Sequence, residues 1–184
     1  MYEGNNPTAL NSREWLVNAL LSLMEELPYQ KITVTNICTA ADLSRQTFYN
    51  FFDSKDDIIR FCIQQCYMEM MENLNSKSPL HLNDITIQLS KTFQHNQKLM
   101  KMIIHQGLEH LLESELETVI HSFAKQMNPD IDNPSSEYGT AFLIGAIAHT
   151  VIYWFKDPHP ISENELSELL SNILLGNYYR IQNS

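Results

Sequence analysis

A short run of polar residues in the first third of the chain is well equipped to recognise another polar molecule. Arg45 and Gln46 can form paired hydrogen bonds, since a guanidinium matches the two acceptors of guanine and an amide matches the donor and acceptor of adenine. The hydroxyl groups of Ser44, Thr47 and Tyr49 suit the oxygens of phosphate groups. These residue types, at this spacing, predict a surface that contacts nucleic-acid bases and the phosphates beside them.

Polar residues on either side extend this surface. Thr33 and Lys55 are further candidates for phosphate contacts, and Thr35 and Asn50 are candidates for contacts to either a base or a phosphate. The alternative for each of these side chains is a solvated polar group, and for Ser44 it is a hydroxyl that only caps a helix.

Such a surface needs a short rigid element to carry it, and the flanking residues predict one. Thr33 precedes apolar residues as a helix N-cap does, so a helix is expected to begin near Val34. Asp42 stands where the chain must turn, and Ser44 then caps a second helix. Its apolar residues are Phe48, Phe51 and Phe52. Two short helices joined by a tight turn form a helix-turn-helix, whose second helix fits the major groove of DNA.

The same stretch resembles the N-terminal DNA-binding domain of the TetR family of bacterial transcriptional regulators. The positions that carry the resemblance are Thr33, Val34, Ile37, Ala41, Leu43, Ser44, Thr47, Phe48, Tyr49, Phe52, Ser54, Lys55 and Ile58. Two positions that are often glycine in the family differ here. Asp42 stands at the turn, and Gln46 adds an amide side chain that could alter which bases are read.

The resemblance implies an organisation for the whole molecule. Residues 1–56 would form the helix-turn-helix DNA-binding domain, and residues 57–184 a helical effector-binding and dimerisation domain. Family members bind palindromic double-stranded operator DNA as homodimers, and repression that a small molecule relieves is commoner among them than activation. A ligand in the second domain would tilt the connecting helix and change the spacing of the two recognition helices.

The rest of the chain predicts helices alone, so the expected fold class is all-α. A three-helix N-terminal domain would be joined by a connecting helix to a C-terminal helical bundle. The first helix is expected from Ser12 to Pro28 and the connecting helix from Ser54 to Asn75. The remaining helices are expected near residues 83–95, 97–106, 108–127, 137–156 and 163–181.

The last two of these helices have the composition of an interface. The helix at 137–156 is apolar nearly all round, so it needs more than one packing partner, and its charge-free part is slightly short for a membrane span. The helix at 163–181 carries an apolar stripe of Leu166, Leu169, Leu170, Ile173, Leu174 and Tyr178. In the resembling family the corresponding pair forms a four-helix bundle with a second copy. The alternative is a monomer that buries both helices.

A pocket for the small-molecule effector is expected among apolar and aromatic side chains of the second domain. The candidates are Cys62, Cys66, Tyr67, Met70, Met100, His105, Phe123, Phe142, His149 and Trp154. The alternative for each is ordinary core packing. Cys62 and Cys66 lie four residues apart and could instead serve a metal or redox site, but no Cys-x-x-Cys or His-Glu-x-x-His motif supports this. No metal or cofactor is therefore expected.

The net charge of −10 is unusual for a DNA-binding protein, but its distribution is uneven. Residues 28–60 hold four basic and four acidic side chains, whereas residues 61–184 hold seven basic and fourteen acidic ones. The predicted DNA-binding segment is thus the least acidic part, and binding to non-specific DNA should be modest. Three cysteines with no secretory signal upstream indicate a reduced, cytoplasmic compartment.

Two other classes of function are alternatives to DNA binding. An enzyme is disfavoured because the sequence contains no glycine-rich phosphate loop, no Gly-x-Ser-x-Gly elbow and no recognisable pair of catalytic carboxylates. A co-regulator that keeps the helix-turn-helix shape but acts through protein–protein contacts stays open, because the chain is acidic and Asp42 replaces the turn glycine.

Overall fold

The computed structural model describes residues 7–75, 81–127 and 134–178, and within these ranges the chain is all-helical, as predicted, without a β-strand. A short 3₁₀ helix, Tyr29–Lys31, lies between the first two α-helices. The α-helices are α1 (Pro7–Glu26), α2 (Val34–Ala40), α3 (Arg45–Phe51), α4 (Lys55–Asn75), α5 (Leu82–His95), α6 (Gln97–His105), α7 (Glu109–Met127), α8 (Pro134–Lys156) and α9 (Glu163–Leu174).

The start of α1 differs from the sequence-based prediction. The helix begins at Pro7, and Ser12 is a buried residue inside it and not its first residue. Proline suits the first helical position because its fixed φ is already helical and its missing N–H would have no partner there. The prediction that the helix starts at Ser12 was wrong, because it followed the apolar residues from Trp15 onward and gave no weight to this preference of proline.

The helix-turn-helix has the predicted boundaries. Thr33 and Ser44 are the N-caps of α2 and α3, and each side-chain oxygen accepts a hydrogen bond from a backbone N–H in the first turn. Asp42 adopts a left-handed conformation with φ of 52°. The N–H groups of Asp42 and Leu43 donate to the carbonyls of Thr39 and Cys38, at 3.3 and 2.9 Å, which closes the end of α2. Aspartate therefore fills the place of the usual turn glycine.

One continuous apolar core connects the N-terminal helices with the rest of the molecule. Below, α1–α3 with the 3₁₀ helix are called the N-terminal unit, and α5–α9 are called the body. The helix α4 contacts α1 on one side and α5 and α7 on the other, and it runs without a break past the predicted domain boundary at residue 56. It is thus the connecting helix of the prediction.

The helix α8 has one buried face and one open face. It packs on α7 and α6, and Ala148 and Val151 are buried there. Its open face contains Tyr138, Phe142 and Tyr153, whose side chains are 80, 69 and 73% exposed. The helix α8 is long and apolar enough to cross a membrane. Core helices of soluble proteins meet the same criteria of length and composition.

The helix α9 is shorter than predicted and packs chiefly on α5. It ends at Leu174 because Gly176 takes a left-handed φ of 71°, which lets the N–H groups of Gly176 and Asn177 donate to Ile173 and Asn172 carbonyls. The predicted end at residue 181 was wrong, since it followed the apolar stripe past this glycine. Tyr178 consequently lies beyond the helix and not on its stripe.

Candidate nucleic-acid interface and ligand cavity

Two aromatic residues fix α3 so that its polar side faces solvent. Phe48 is fully buried and Phe51 nearly so, while Arg45, Gln46 and Asn50 on the same helix are exposed. Phe48 also contacts the ring of Tyr49 edge-on, with ring centroids 5.3 Å apart. The two buried rings therefore determine which face of α3 points into the core. The predicted base-contacting residues lie on the opposite, solvent-exposed face.

Arg45 and Tyr49 form a pair on the exposed side of α3. The Arg45 Nη2 donates to the Tyr49 hydroxyl at 3.5 Å, and the guanidinium carbon lies 6.0 Å from the ring centroid. The hydrogen bond to the Tyr49 hydroxyl raises the pKa of the Arg45 guanidinium, a group that is protonated at physiological pH in any case. The contact brings the guanidinium and the phenol together on the solvent side of α3.

The hydroxyl groups at the start of α3 already have partners within the helix. The Ser44 Oγ accepts from the Thr47 N–H at 3.0 Å and lies 2.9 Å from the Thr47 Oγ1. Both residues remain at the surface. Their first structural task is thus capping, the alternative that the sequence left open for Ser44.

A reciprocal cap at the start of α2 includes a residue that the sequence analysis missed. The Asn36 N–H donates to the Thr33 Oγ1 at 3.2 Å, and the Thr33 N–H and hydroxyl donate to the Asn36 Oδ1 at 2.9 and 2.6 Å. The signal was the capping-box spacing, with asparagine in place of the usual glutamate or glutamine. Thr35, on the first turn of this helix, is exposed.

Lys55 has a structural role beside its predicted phosphate contact. Its Nζ donates to the carbonyl oxygens of Tyr29 and Ile32 at 2.6 and 2.8 Å, and it lies 4.0 Å from the Tyr29 ring centroid. Burial lowers the pKa of this ammonium. An ammonium has three N–H donors, so one remains for a phosphate oxygen after both carbonyls are bound.

Four of the residues predicted to line an effector pocket border a small apolar cavity between α4, α5 and α7. Its volume is about 40 Å³. The predicted residues that line it are Cys66, Tyr67, Met70 and Met100, and among its other lining residues are Phe93, Leu112, Glu115 and Leu116. A drug-sized ligand needs several hundred Å³, so this cavity must widen to admit one.

The other predicted pocket residues lie elsewhere. His105 and Trp154 line an open cleft of about 490 Å³ beside the loop between α8 and α9. Phe142 and His149 are exposed on α8, and Cys62 borders a groove near α1. The side chain of Phe123 lies outside the described residues. The nine described candidates therefore do not form one cavity.

The cavity wall includes a buried carboxylate that sequence reasoning missed. Glu115 of α7 accepts from the Arg60 Nη1 at 3.1 Å and from the Gln64 Nε2 at 3.0 Å, so each of its oxygens has a partner on α4. More than fifty residues separate the partners in sequence, and no local pattern indicates such a contact. These two hydrogen bonds connect α7 to the connecting helix α4 at the edge of the cavity.

The two cysteines of α4 are buried thiols. Desolvation raises the pKa of Cys62 to about 12 and that of Cys66 to about 11, so both remain protonated near neutral pH. No cluster of three metal-ligating side chains occurs in the described ranges. The geometry thus gives no support to the alternative of a metal or redox site at these cysteines.

Comparisons with known proteins agree with this architecture. Residues 16–60 match the family profile described as bacterial regulatory proteins, tetR family, and residues 80–176 match one described as transcriptional regulator C-terminal region. The chain is 23% identical over 172 residues to the HTH-type dhaKLM operon transcriptional activator DhaS of Lactococcus lactis, and the alignment covers 92% of this chain and 90% of that protein.

Solved structures share the fold at low sequence identity. Lin0861 from Listeria innocua has a TM-score of 0.79 at 15% identity, and the alignment covers 96% of each chain. The TetR-family repressor FadR of Thermus thermophilus, in complex with lauroyl-CoA, has a TM-score of 0.58 at 17% identity, with 94% of this chain and 98% of that chain covered.

Proposed function

This chain belongs to the TetR family of bacterial transcriptional regulators, and we propose that it binds a palindromic operator as a homodimer and represses transcription under the control of a small molecule. The observation that carries the proposal is the exposed polar side of α3, held outward by the buried Phe48. Its site of action is the cytoplasm, where bacterial DNA is found.

In this proposal, base reading and phosphate contact fall to different residues. Arg45 and Gln46 read base edges in the major groove, because their side chains project from the solvent side of α3. Tyr49 and the free N–H of Lys55 contact phosphates. Further contacts to the duplex come from Thr33, Thr35, Ser44, Thr47 and Asn50.

The homodimer forms through the last two helices of the chain, with the open face of α8 at the centre of the interface. Tyr138, Phe142 and Tyr153 are each more than two-thirds exposed on this face, an unfavourable arrangement for an isolated protomer in water. Gly145 on the same helix has no atom within 4 Å of where a Cβ would stand, so a second helix can approach closely. Two-fold symmetry then places two copies of α3 on one side of the dimer.

The effector occupies the cavity between α4, α5 and α7 and enlarges it. The lining is almost wholly apolar, so the matching ligand is a small apolar molecule or an apolar chain. Met70 and Met100 make room, because unbranched thioether side chains change rotamer at low cost. Widening the cavity displaces α4, which leads directly into the helix-turn-helix.

The experiment is selection of bound duplexes from a random DNA pool at moderate salt, followed by sequencing. The wild type should enrich a palindrome, and Tyr49→Ala should not. The matched control is Met68→Ala, since Met68 is 54% exposed and Tyr49 48%, but Met68 lies on α4 and outside the helix-turn-helix. Failure of the wild type to enrich any sequence at several salt concentrations would favour the co-regulator alternative.

Activation is a second candidate for the direction of control. It is favoured by one observation, the likeness to a relative named as a transcriptional activator over 92% of this chain. A reporter gene under the selected operator separates the two outcomes. Deletion of the regulator raises expression if it represses and lowers expression if it activates.

A further inference from the structure

The side chain of Gln106 joins the body to the N-terminal unit. Gln106 follows α6, and its Nε2 donates to the carbonyls of Met24 and Leu27 at 2.9 and 3.3 Å, at the C-terminal end of α1. Its Oε1 accepts from the Tyr29 N–H at 2.9 Å, at the start of the 3₁₀ helix. All of these contacts span about eighty residues of sequence.

These hydrogen bonds use every polar group of the glutamine side chain. The last carbonyls of a helix and the first N–H of the next have no partner within their own helices, so both ends need one from outside. A primary amide supplies two donors and an acceptor together, whereas a carboxylate supplies acceptors alone and an aliphatic side chain supplies neither. The position thus suits glutamine in chemistry as well as in length.

The backbone around Gln106 is held in one conformation. Gly107 adopts a left-handed φ of 72°, and the N–H groups of Gly107 and Leu108 donate to the carbonyls of Ile104 and Ile103 at 3.2 and 3.0 Å. Leu108 is buried. The amide of Gln106 is therefore presented from a fixed turn and not from a loose loop.

The far side of the same 3₁₀ helix contacts the start of α4. Lys55 donates to the Tyr29 carbonyl, and the Tyr29 hydroxyl donates to the Asp56 carboxylate at 2.5 Å. The chain then continues from the 3₁₀ helix through Thr33 into α2. Tyr29 is thus hydrogen-bonded both to the body, through Gln106, and to the connecting helix, through Lys55 and Asp56.

We propose that Gln106 is a positioning residue that fixes the tilt of the N-terminal unit on the body and thereby sets the half-site spacing that the dimer accepts. The inference rests on the proposed function. In a two-fold dimer, the separation of the two α3 helices follows from the tilt of each N-terminal unit, and one base pair changes the half-site distance by about 3.4 Å. Base identity is read at α3 and does not depend on Gln106.

The test measures binding to the selected half-site as inverted repeats whose spacer varies one base pair at a time. The wild type should prefer one spacer. Gln106→Ala and Gln106→Glu should keep the half-site sequence but lose about threefold to tenfold of the preference for that spacer, the effect of losing hydrogen bonds of ordinary strength. Gln94→Ala, at an exposed glutamine of α5, is the matched control. Unchanged spacer preference in both Gln106 variants would overturn the inference.

Hydrogen exchange of the wild type and the variants in the absence of DNA tests whether Gln106 holds the N-terminal unit on the body. In both Gln106 variants, amides of residues 27–33 should exchange faster than in the wild type, while those of α8 should not change. Equal exchange at 27–33 in folded variants would also overturn the inference. If the wild type selected no DNA at all, the proposed function would fail, whereas the exchange result would still show whether Gln106 holds the N-terminal unit.

Discussion

At the scale of single residues, Gln46 is the position where this chain departs from its family in the recognition helix. A glycine there would present no functional group, whereas the exposed amide of Gln46 can bind adenine through two hydrogen bonds. Arg45 lies beside it and contacts Tyr49, with its Nη2 3.5 Å from the Tyr49 hydroxyl. Sequence preference should therefore depend on Gln46, and overall affinity on Tyr49.

Replacing Gln46 by alanine should change the preference among operator variants without abolishing binding. One base position should lose about 1–3 kcal/mol of discrimination, the usual value of a paired base contact. Tyr49→Ala should weaken binding to every sequence by a similar factor, because a phosphate contact carries no base identity. Affinities for a set of single-base operator variants test both, with Gln94→Ala as control. Equal losses for Gln46→Ala on all variants would contradict its reading role.

The cysteine thiols should be unreactive in the native protein. Cys38, Cys62 and Cys66 are all buried, and burial raises the pKa of each. A raised thiol pKa lowers the thiolate fraction, which at pH 8 is about one part in a thousand for a pKa near that of Cys66. A chromogenic disulfide reagent should therefore find three thiols in denaturant and almost none rapidly without it. Fast reaction of Cys62 or Cys66 in the folded protein would restore the redox alternative.

At the scale of helices, the sequence predicted well the features that depend on neighbouring residues. Thr33, Ser44 and Asp42 mark the ends of α2 and α3, because a cap or a left-handed turn is a local interaction. Contacts of Lys55 and Gln106 with the 3₁₀ helix were not predicted, because their partners are distant in sequence. The same reason explains why the effector candidates could be named by type but not assembled into one cavity.

Substitutions at the left-handed residues Asp42 and Gly107 should show how much a positive φ costs a residue that has a Cβ. Asp42→Gly should raise the free energy of unfolding by up to about 1 kcal/mol, because glycine adopts the observed φ without a Cβ penalty. Gly107→Ala should lower it by about 1–2 kcal/mol, although no atom lies within 4 Å of the added Cβ. The control is Gly139→Ala within α8, where alanine should stabilise by about 0.5–1 kcal/mol. Urea denaturation gives the free energy of unfolding of all three variants. A lower free energy of unfolding for Asp42→Gly than for the wild type would mean that the Asp42 side chain stabilises the fold by more than its left-handed backbone destabilises it.

At the scale of the whole molecule, charge and symmetry act together. The net charge of −10 repels DNA at a distance, and the N-terminal unit offers few cations to offset this. Under the proposed function, stable binding would depend on specific contacts at two half-sites at once, which a monomer cannot make. We therefore expect dimerisation to be required for operator binding as well as to cover the open face of α8.

Placing a charge on the open face of α8 should separate the two protomers. Phe142→Glu puts a carboxylate where the second copy would pack, and burying it without a partner is costly. We expect the wild type to sediment as a dimer, and Phe142→Glu to sediment as a folded monomer that has lost most of its operator affinity. Met68→Glu is the matched control, because Met68 is also more than half exposed but lies on α4. If Phe142→Glu stayed dimeric and bound the operator normally, the interface would lie elsewhere, and the exposed aromatic residues of α8 would need another partner.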